Sequence, residues 1–352
     1  MIENILGAIG TSFDVISAII LGLTLGFSAM PTAFSFLVAG VGMLIFSQVS
    51  IISIPAEHVI LINRFTKDRN ERSCIILYAG IITLILGVTG IIGVTMDFVG
   101  EIILCAIMSG VGLMVFGIAI GMLKENALTS GISIASAFIM YFLTQNVIYT
   151  AVVSIIVSSV ITDIIKRKEI KNQPKSDLSN ENFKLIRPKF NLVILRGALA
   201  LSTLFIGGII SDGTITAQMA GMDANQNFLS IISGSSNIVS ALFGGMPVGF
   251  IVSGTGAAPD PLLSGLFVMV IMFALLIFRI VPRISRFIPN QSVSGLLIVL
   301  ATFLIIPQNA LTAFQGDPIV ATVTTATTAF VDPFIGMIAG IVTRLITGLI
   351  GI

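Results

Sequence analysis

Apolar stretches recur almost without pause from residue 13 to residue 351. Most are about 17 to 25 residues long, enough to cross the hydrocarbon layer of a bilayer as a helix. Because 55% of the 352 residues are hydrophobic and only 10% are charged, the chain has too little polar surface to cover a soluble globule. The pattern predicts an all-α polytopic protein whose surroundings are the lipid bilayer of the cell membrane.

The apolar pattern predicts twelve long spans. They lie at 13–30, 32–49, 73–95, 100–122, 128–145, 147–165, 190–211, 227–244, 262–281, 288–306, 318–331 and 333–351. The amino terminus, MIENILG, has no basic region followed by a small-residue cleavage site, so we interpret the first run as a retained helix. Two shorter elements bring the expected total to about fourteen.

The two shorter elements are interrupted by glycine and proline. Residues 243–256 read FGGMPVGFIVSGTG, and residues 52–62 contain Pro55 and the only histidine, His58, beside Glu57. Irregular backbone at membrane depth is tolerated only where it is buried in protein or lines a cavity, because lipid cannot satisfy its polar groups. Paired broken segments of this kind are typical of secondary transporters. We therefore expect the functional site to lie between them.

Basic residues are segregated by loop, at 64–72, Lys124, 166–189 and 279–286. If all fourteen elements cross the membrane, these loops share one side, which the positive-inside rule makes cytoplasmic, and both termini lie outside. If both short elements instead turn back, the amino terminus is cytoplasmic. A net charge of +1 gives no indication of nucleic-acid binding.

The polar stretch 166–189 predicts a connector between two membrane halves, 1–165 and 190–352. Landmarks such as Pro55 and Pro247 recur at a similar offset in the two halves. Seven elements per half is an odd number, so the second half must enter the membrane in the opposite sense. This arrangement is the inverted repeat of many carriers, and it favours alternating access.

Four stretches resemble the uracil/xanthine permeases of the nucleobase-ascorbate group, which share their fold with the sulfate permeases. They are FLVAGVGMLIFSQVSIISIP at 36–55, FVGEIILCAIMSGVGLMVFGIAI at 98–120, RPKFNLVILRGALALSTLFIGGIISDG at 187–213 and NIVSALFGGMPVGFIVSGTG at 237–256. The resemblance implies seven plus seven elements, a core and a gate domain, and broken third and tenth elements that meet near the midplane. It also implies proton or sodium coupling, cytoplasmic termini and often a homodimer.

In nucleobase permeases, acidic residues on the eighth element and after the GGxP turn commonly bind the base. The first maps near Asp212, whereas the second falls on Ser253, which cannot supply an anionic acceptor. The candidate substrate-binding residues are Asp212, Gly249, Phe250, Ser253, Gly254, Glu57 and His58. The candidate structural turn residues are Pro55, Gly244, Gly245 and Pro247, and the candidate coupling residues are Asp212 and His58.

Each candidate also has a simpler interpretation. The glycines of 243–256 would equally allow tight helix packing, Glu57 and His58 would equally be charges at the membrane edge, and Asp212 would equally be an ordinary loop aspartate. These alternatives stay open at this point.

The sequence predicts a secondary active transporter of a small polar solute, with a nucleobase such as uracil or xanthine as the first expectation. LSGLF at 263–267 and VDPFIGMIAGIV at 331–342 are similar to the sulfate-permease branch, so an anion transporter is the alternative. A channel is the rival of another class. An enzyme is not expected, because the chain has no HExxH motif and only one histidine, and no cofactor or metal site is predicted.

Overall fold

The computed structural model describes residues 2–145, 147–165, 185–251, 253–285 and 289–350. Most of the predicted connector, residues 166–184, lies outside the described residues, as does Arg286. The boundaries of the two repeats therefore stay a prediction.

The first half of the chain is helical apart from one short strand. It contains α1 (Ile2–Thr24), α2 (Ala29–Phe46), β1 (Ile52–Ser53), α3 (Ala56–Phe65), α4 (Arg69–Thr89), α5 (Ile92–Val99), α6 (Glu101–Glu125), α7 (Ala127–Thr144) and α8 (Val147–Ile165).

The second half repeats this plan with one short strand among helices. It contains α9 (Leu192–Gly208), α10 (Thr214–Met219), α11 (Gln226–Leu242), β2 (Gly249–Phe250), α12 (Pro261–Ile277), α13 (Ile280–Ser285), α14 (Ser294–Val299), α15 (Ile306–Gly316), α16 (Pro318–Phe330) and α17 (Pro333–Ile350). A π-helical turn, Ile209–Gly213, joins α9 to α10, and another, Leu300–Ile305, joins α14 to α15.

Several of these helices have the length and composition of membrane spans. Among the described residues, five are long and apolar enough to cross a bilayer: Ala29–Phe46, Arg69–Thr89, Glu101–Glu125, Ala127–Thr144 and Gln291–Gly316. Five shorter apolar helices of 10–17 residues accompany them. All twelve predicted spans overlap helical segments, so the expectation of an all-α polytopic fold is confirmed.

Several predicted span boundaries were wrong, among them that of the first span, predicted at 13–30, whose helix is Ile2–Thr24. The span predicted at 73–95 ends at Thr89, because Gly90 adopts a left-handed conformation (φ 72°) that terminates α4 before α5 begins. The span predicted at 190–211 continues through the π-helical turn to Met219. Asp212 therefore lies within a helical path and is not a loop residue.

The helices pack in two groups. In the first group α11 packs against α4 and α2, α12 packs against α2 and α1, and α9 packs against α4. In the second group α16 packs against α6 and α17, while α14 contacts α6, α7 and α8. Contacts between the groups include those of α9 with α17 and of α1 with α8. The broken segments β1 and β2 belong to the first group.

Small residues allow α4 and α11 to lie unusually close together. A Cβ added to Gly234 would lie 2.6 Å from the backbone nitrogen of Leu84 and 2.8 Å from the carbonyl oxygen of Gly80. In lipid, association of helices depends on such close packing because apolar side chains gain little by leaving lipid for protein. The glycines thus fix the spacing between α4 and α11, the helix that precedes β2.

Basic side chains from distant parts of the sequence meet at one end of the bundle. Arg69 donates to the hydroxyl of Ser28 (2.9 Å), and Arg72 donates to the carbonyl of Leu25 (2.6 Å). Arg64 donates to the carbonyl of Phe330 (3.0 Å) at the end of α16. The loops after α1, α3 and α16 therefore share one face, which we call the basic face.

Candidate functional site

The two broken segments lie side by side and pair as strands. β1 and β2 are antiparallel, with Ile52 opposite Phe250 and Ser53 opposite Gly249. The amide of Ile251 also reaches the carbonyl of Ile51 (3.4 Å). Pairing supplies partners for backbone groups that lipid would leave unsatisfied, which allows extended chain to exist inside a membrane protein.

The first broken segment, residues 52–62, consists of β1 followed by most of the helix α3. Pro55 precedes α3 and makes no side-chain capping hydrogen bond, so the amides of the first turn are not capped by a side chain. Glu57 and His58 both lie in that first turn. Glu57 is half-buried, whereas His58 is only 3% exposed. His58 therefore lies inside the protein.

His58, in the first broken segment, packs against the second. A Cβ added to Gly249 would lie 2.9 Å from Nδ1 of His58 and still closer to Cε1. The imidazole makes an edge-to-face contact with Phe205 at 5.2 Å. Among the described residues, Nδ1 of His58 has no hydrogen-bond partner. An unsatisfied buried polar atom costs about 1–3 kcal/mol, so its retention in a protein requires an explanation.

The turn before β2 uses its glycines for two different reasons. Gly244 has φ +83°, a conformation that other residues rarely adopt. Gly245 forms an isolated bridge with Ser28, and a Cβ there would lie 2.9 Å from the amide of Thr32. Pro247 is buried just beyond the turn. The turn is thereby fixed against the start of α2.

Asn237 holds the segment between this turn and β2. Its Oδ1 accepts from the amide of Val248 (2.9 Å), and its Nδ2 donates to the carbonyl of Val248 (2.7 Å) and to that of Ser233 (2.9 Å). The side chain is fully buried. Asn237 thus supplies hydrogen bonds to both backbone polar groups of Val248.

The Ser253 hydroxyl forms hydrogen bonds with neighbouring protein groups. Its buried hydroxyl contacts those of Thr11 (3.1 Å) and Thr255 (2.8 Å) and accepts from the amide of Thr255 (3.1 Å). It caps a short 3-10 helix, Gly254–Ala257, that follows β2. In this conformation Ser253 links α1 to the second broken segment.

Asp212 lies on an element that contacts both broken segments. It occupies the π-helical turn Ile209–Gly213 and is half-buried. The next residue, Gly213, accepts a hydrogen bond from Ser50 just before β1 (2.6 Å), and a Cβ on it would lie 3.6 Å from Cγ of Phe250. Single π-helical turns inside helices occur frequently at functional sites.

The structure thus brings His58, Gly249 and Phe250 together, with Ser253 and Gly254 following in the same segment and Asp212 one residue from the junction. Sequence reasoning missed the supporting contacts of Thr11, Thr32 and Ser50. Isolated hydroxyl residues in apolar runs are too common to be a signal, since they usually bond to the preceding turn.

Three solved structures have a similar overall fold. The structure of SLC26A9 matches with a TM-score of 0.71 and 14% identity over 99% of this chain and 65% of that chain. Murine Slc26a9, described as an anion transporter in the inward-facing state, matches with a TM-score of 0.74 and 14% identity over 100% of this chain and 69% of that one. The chain has the fold of these transporters.

The third is the transmembrane domain of the cyanobacterial bicarbonate transporter BicA, with a TM-score of 0.59 and 14% identity over 94% of this chain and 97% of that domain. Neither the protein-family models nor the curated protein sequences give a match. The chain spans less than two thirds of the SLC26A9 structure first named, at 65% of its length. The comparisons therefore establish that the chain has the seven-plus-seven inverted-repeat fold of these transporters.

Proposed function

We propose that the protein is a secondary transporter of a small anion, bound where the two broken segments meet. The observation that carries this proposal is the junction itself. The first turn of α3 has no side-chain cap, and beside it lies a buried histidine whose Nδ1 has no partner among the described residues. Helix amides and an imidazole N–H are suitable donors for an anion inside a protein.

The dimensions of the junction support a small solute. Cβ atoms added to Gly249 and Gly213 would each come within 3 Å of a neighbouring side chain, His58 and Leu229 respectively. A compact inorganic anion or bicarbonate requires less rearrangement of such a site than a purine or pyrimidine ring. The names of the structural neighbours, an anion transporter and a bicarbonate transporter, point to the same class.

The carboxylates near the junction of the broken segments suggest how anion transport is coupled to an ion. Glu57 lies in the same first turn of α3, and Asp212 is one residue from the junction. An anion entering beside an ionised carboxylate meets repulsion, which a proton or sodium ion bound to that carboxylate removes. We propose that Glu57 or Asp212 carries the coupling ion, while His58 serves as an anion ligand.

Transport into liposomes tests the substrate class. Purified protein should accumulate labelled bicarbonate or sulfate saturably, and unlabelled anion should compete, whereas uracil and xanthine should neither enter nor compete. Each solute is measured with and without an imposed proton or sodium gradient. Nucleobase uptake that sulfate does not affect would overturn the anion proposal, and non-saturable flux would indicate a channel.

The orientation of the protein in the membrane is a second prediction. The structure collects Arg64, Arg69, Arg72 and Arg196 near one face, whereas Asn4 contacts the amide of Asp260 at another part of the bundle (3.1 Å). By the positive-inside rule the basic face is cytoplasmic. A cysteine introduced at residue 176 should resist impermeant maleimide applied to intact cells and react after permeabilisation. Ready labelling of intact cells would reverse the orientation.

A further inference from the structure

We propose that a cleft on the basic face binds the phosphate headgroup of an anionic phospholipid. The cleft has a volume of about 310 Å³ and lies between α3, α9 and the junction of α16 with α17. Its lining consists of Arg64, Phe65, Leu192, Val193, Arg196 and Val331. It is separate from the junction of the broken segments, whose residues do not line it.

The two arginines are fixed in place by the protein. Arg64 donates to the carbonyls of Ala329 (3.3 Å) and Phe330 (3.0 Å) at the end of α16. Arg196 donates through Nε to Oδ2 of Asp332 (2.5 Å). These bonds use a minority of the N–H groups on two guanidinium groups. Among the described residues, the remaining N–H groups make no further hydrogen bond, and both arginines line the cleft, where Arg196 lies over the ring of Phe65 (5.9 Å).

The charge of the cleft favours an anion. Its lining contains two arginines and no acidic residue, and only Arg196 pairs with a carboxylate, that of Asp332, so the described groups leave an excess positive charge. Guanidinium groups bind phosphate through two parallel N–H bonds, which makes arginine well suited to this headgroup.

The surroundings indicate a lipid. The rest of the lining is apolar, and adjacent side chains are unusually exposed: Leu192 at 79% and Phe330 at 82%. Exposed apolar side chains beside cations match an acyl chain below a headgroup, whereas a site for a soluble anion gains nothing from them. The basic face is the cytoplasmic side by the charge rule, and the cytoplasmic leaflet carries the anionic lipids.

Native mass spectrometry of the purified chain tests this site. Phosphatidylglycerol and phosphatidylcholine are titrated separately, and inorganic phosphate is added as a competitor. Phosphatidylglycerol should bind preferentially, and Arg64→Gln should weaken its binding about tenfold, the loss expected for one charged hydrogen-bonded contact. Arg64→Lys keeps the charge without the planar donor pair. Its affinity for phosphatidylglycerol should lie between those of the unsubstituted protein and Arg64→Gln.

The matched control is Arg283→Gln. Arg283 is exposed and does not line the cleft. It lies close in sequence to Arg279, whose guanidinium contacts Met30 at the start of α2. This variant should bind phosphatidylglycerol normally. Equal binding of phosphatidylcholine, or full retention of binding in Arg64→Gln, would overturn the proposal. Displacement of the lipid by inorganic phosphate at similar concentration would show a site for small anions instead.

Discussion

Replacing Gly249 with alanine should abolish most solute uptake and destabilise the protein. The added Cβ would lie 2.9 Å from Nδ1 of His58 and 3.2 Å from Cγ of Pro55, and closer still to Cε1 of His58. The imidazole is buried and also packs edge-to-face against Phe205, so it has little room to move away. We expect a loss of about 1–3 kcal/mol in the free energy of unfolding, the usual effect of overpacking.

Gly117→Ala is the matched control. An added Cβ at Gly117, on α6, has no neighbour within 4 Å, so uptake and thermal stability should stay unchanged. The double variant Gly249→Ala with His58→Ala separates packing from ligand binding. It should regain stability because the obstructing ring is gone, but not uptake, because the proposed anion donor is gone as well. Full recovery of uptake would show that His58 does not bind the solute.

The Arg196 to Asp332 ion pair gives the second large effect. Asp332 is buried, with a side chain 1% exposed, and its Oδ1 also accepts from the amide of Ile335 in the first turn of α17 (2.8 Å). Arg196→Gln leaves this carboxylate without its cation, which we expect to cost about 1–3 kcal/mol. The estimate is reduced for solvent screening because the Arg196 side chain is 43% exposed.

Asp332→Asn should cost less, since its remaining Oδ1 can still accept from Ile335 and Arg196 can turn toward water. The double variant Arg196→Gln with Asp332→Asn should recover much of the loss, because no buried charge is left unpaired. Thermal denaturation of the four proteins in detergent measures this coupling. If the stability losses of the two single variants simply add in the double variant, the ion pair itself contributes nothing to stability. Because it joins α9 to α17, the pair also links the two packing groups.

Sequence patterns anticipated the architecture well, because the bilayer restricts the choices. Backbone polar groups must be satisfied within each segment, so long apolar runs have to be helices. The two Gly- and Pro-broken segments were therefore conspicuous, and the structure pairs Ile52 with Phe250 at the place where they meet. The irregular turn at Asp212 was not anticipated, because a π-helical turn leaves no clear mark in hydropathy.

The site was less predictable than the fold. Glycine at 249 indicates close approach without naming what approaches, and only the three-dimensional packing identifies His58. Ser253 was expected to face a substrate, but its hydroxyl contacts those of Thr11 and Thr255. Thr11 is far from Ser253 in sequence, so sequence patterns did not indicate that contact. The nucleobase expectation came from resemblance at a few short stretches, and a shared fold does not by itself identify the solute.

The most direct test of the central proposal is hydrogen–deuterium exchange of the purified protein, with and without a saturating concentration of the transported anion. Binding between the broken segments should slow exchange in peptides covering 49–62 and 247–256 together, and His58→Ala should remove that protection. Peptides from α7, which lies in the other packing group, serve as the internal reference. Protection confined to other segments, with both broken segments unchanged, would contradict a binding site at their junction.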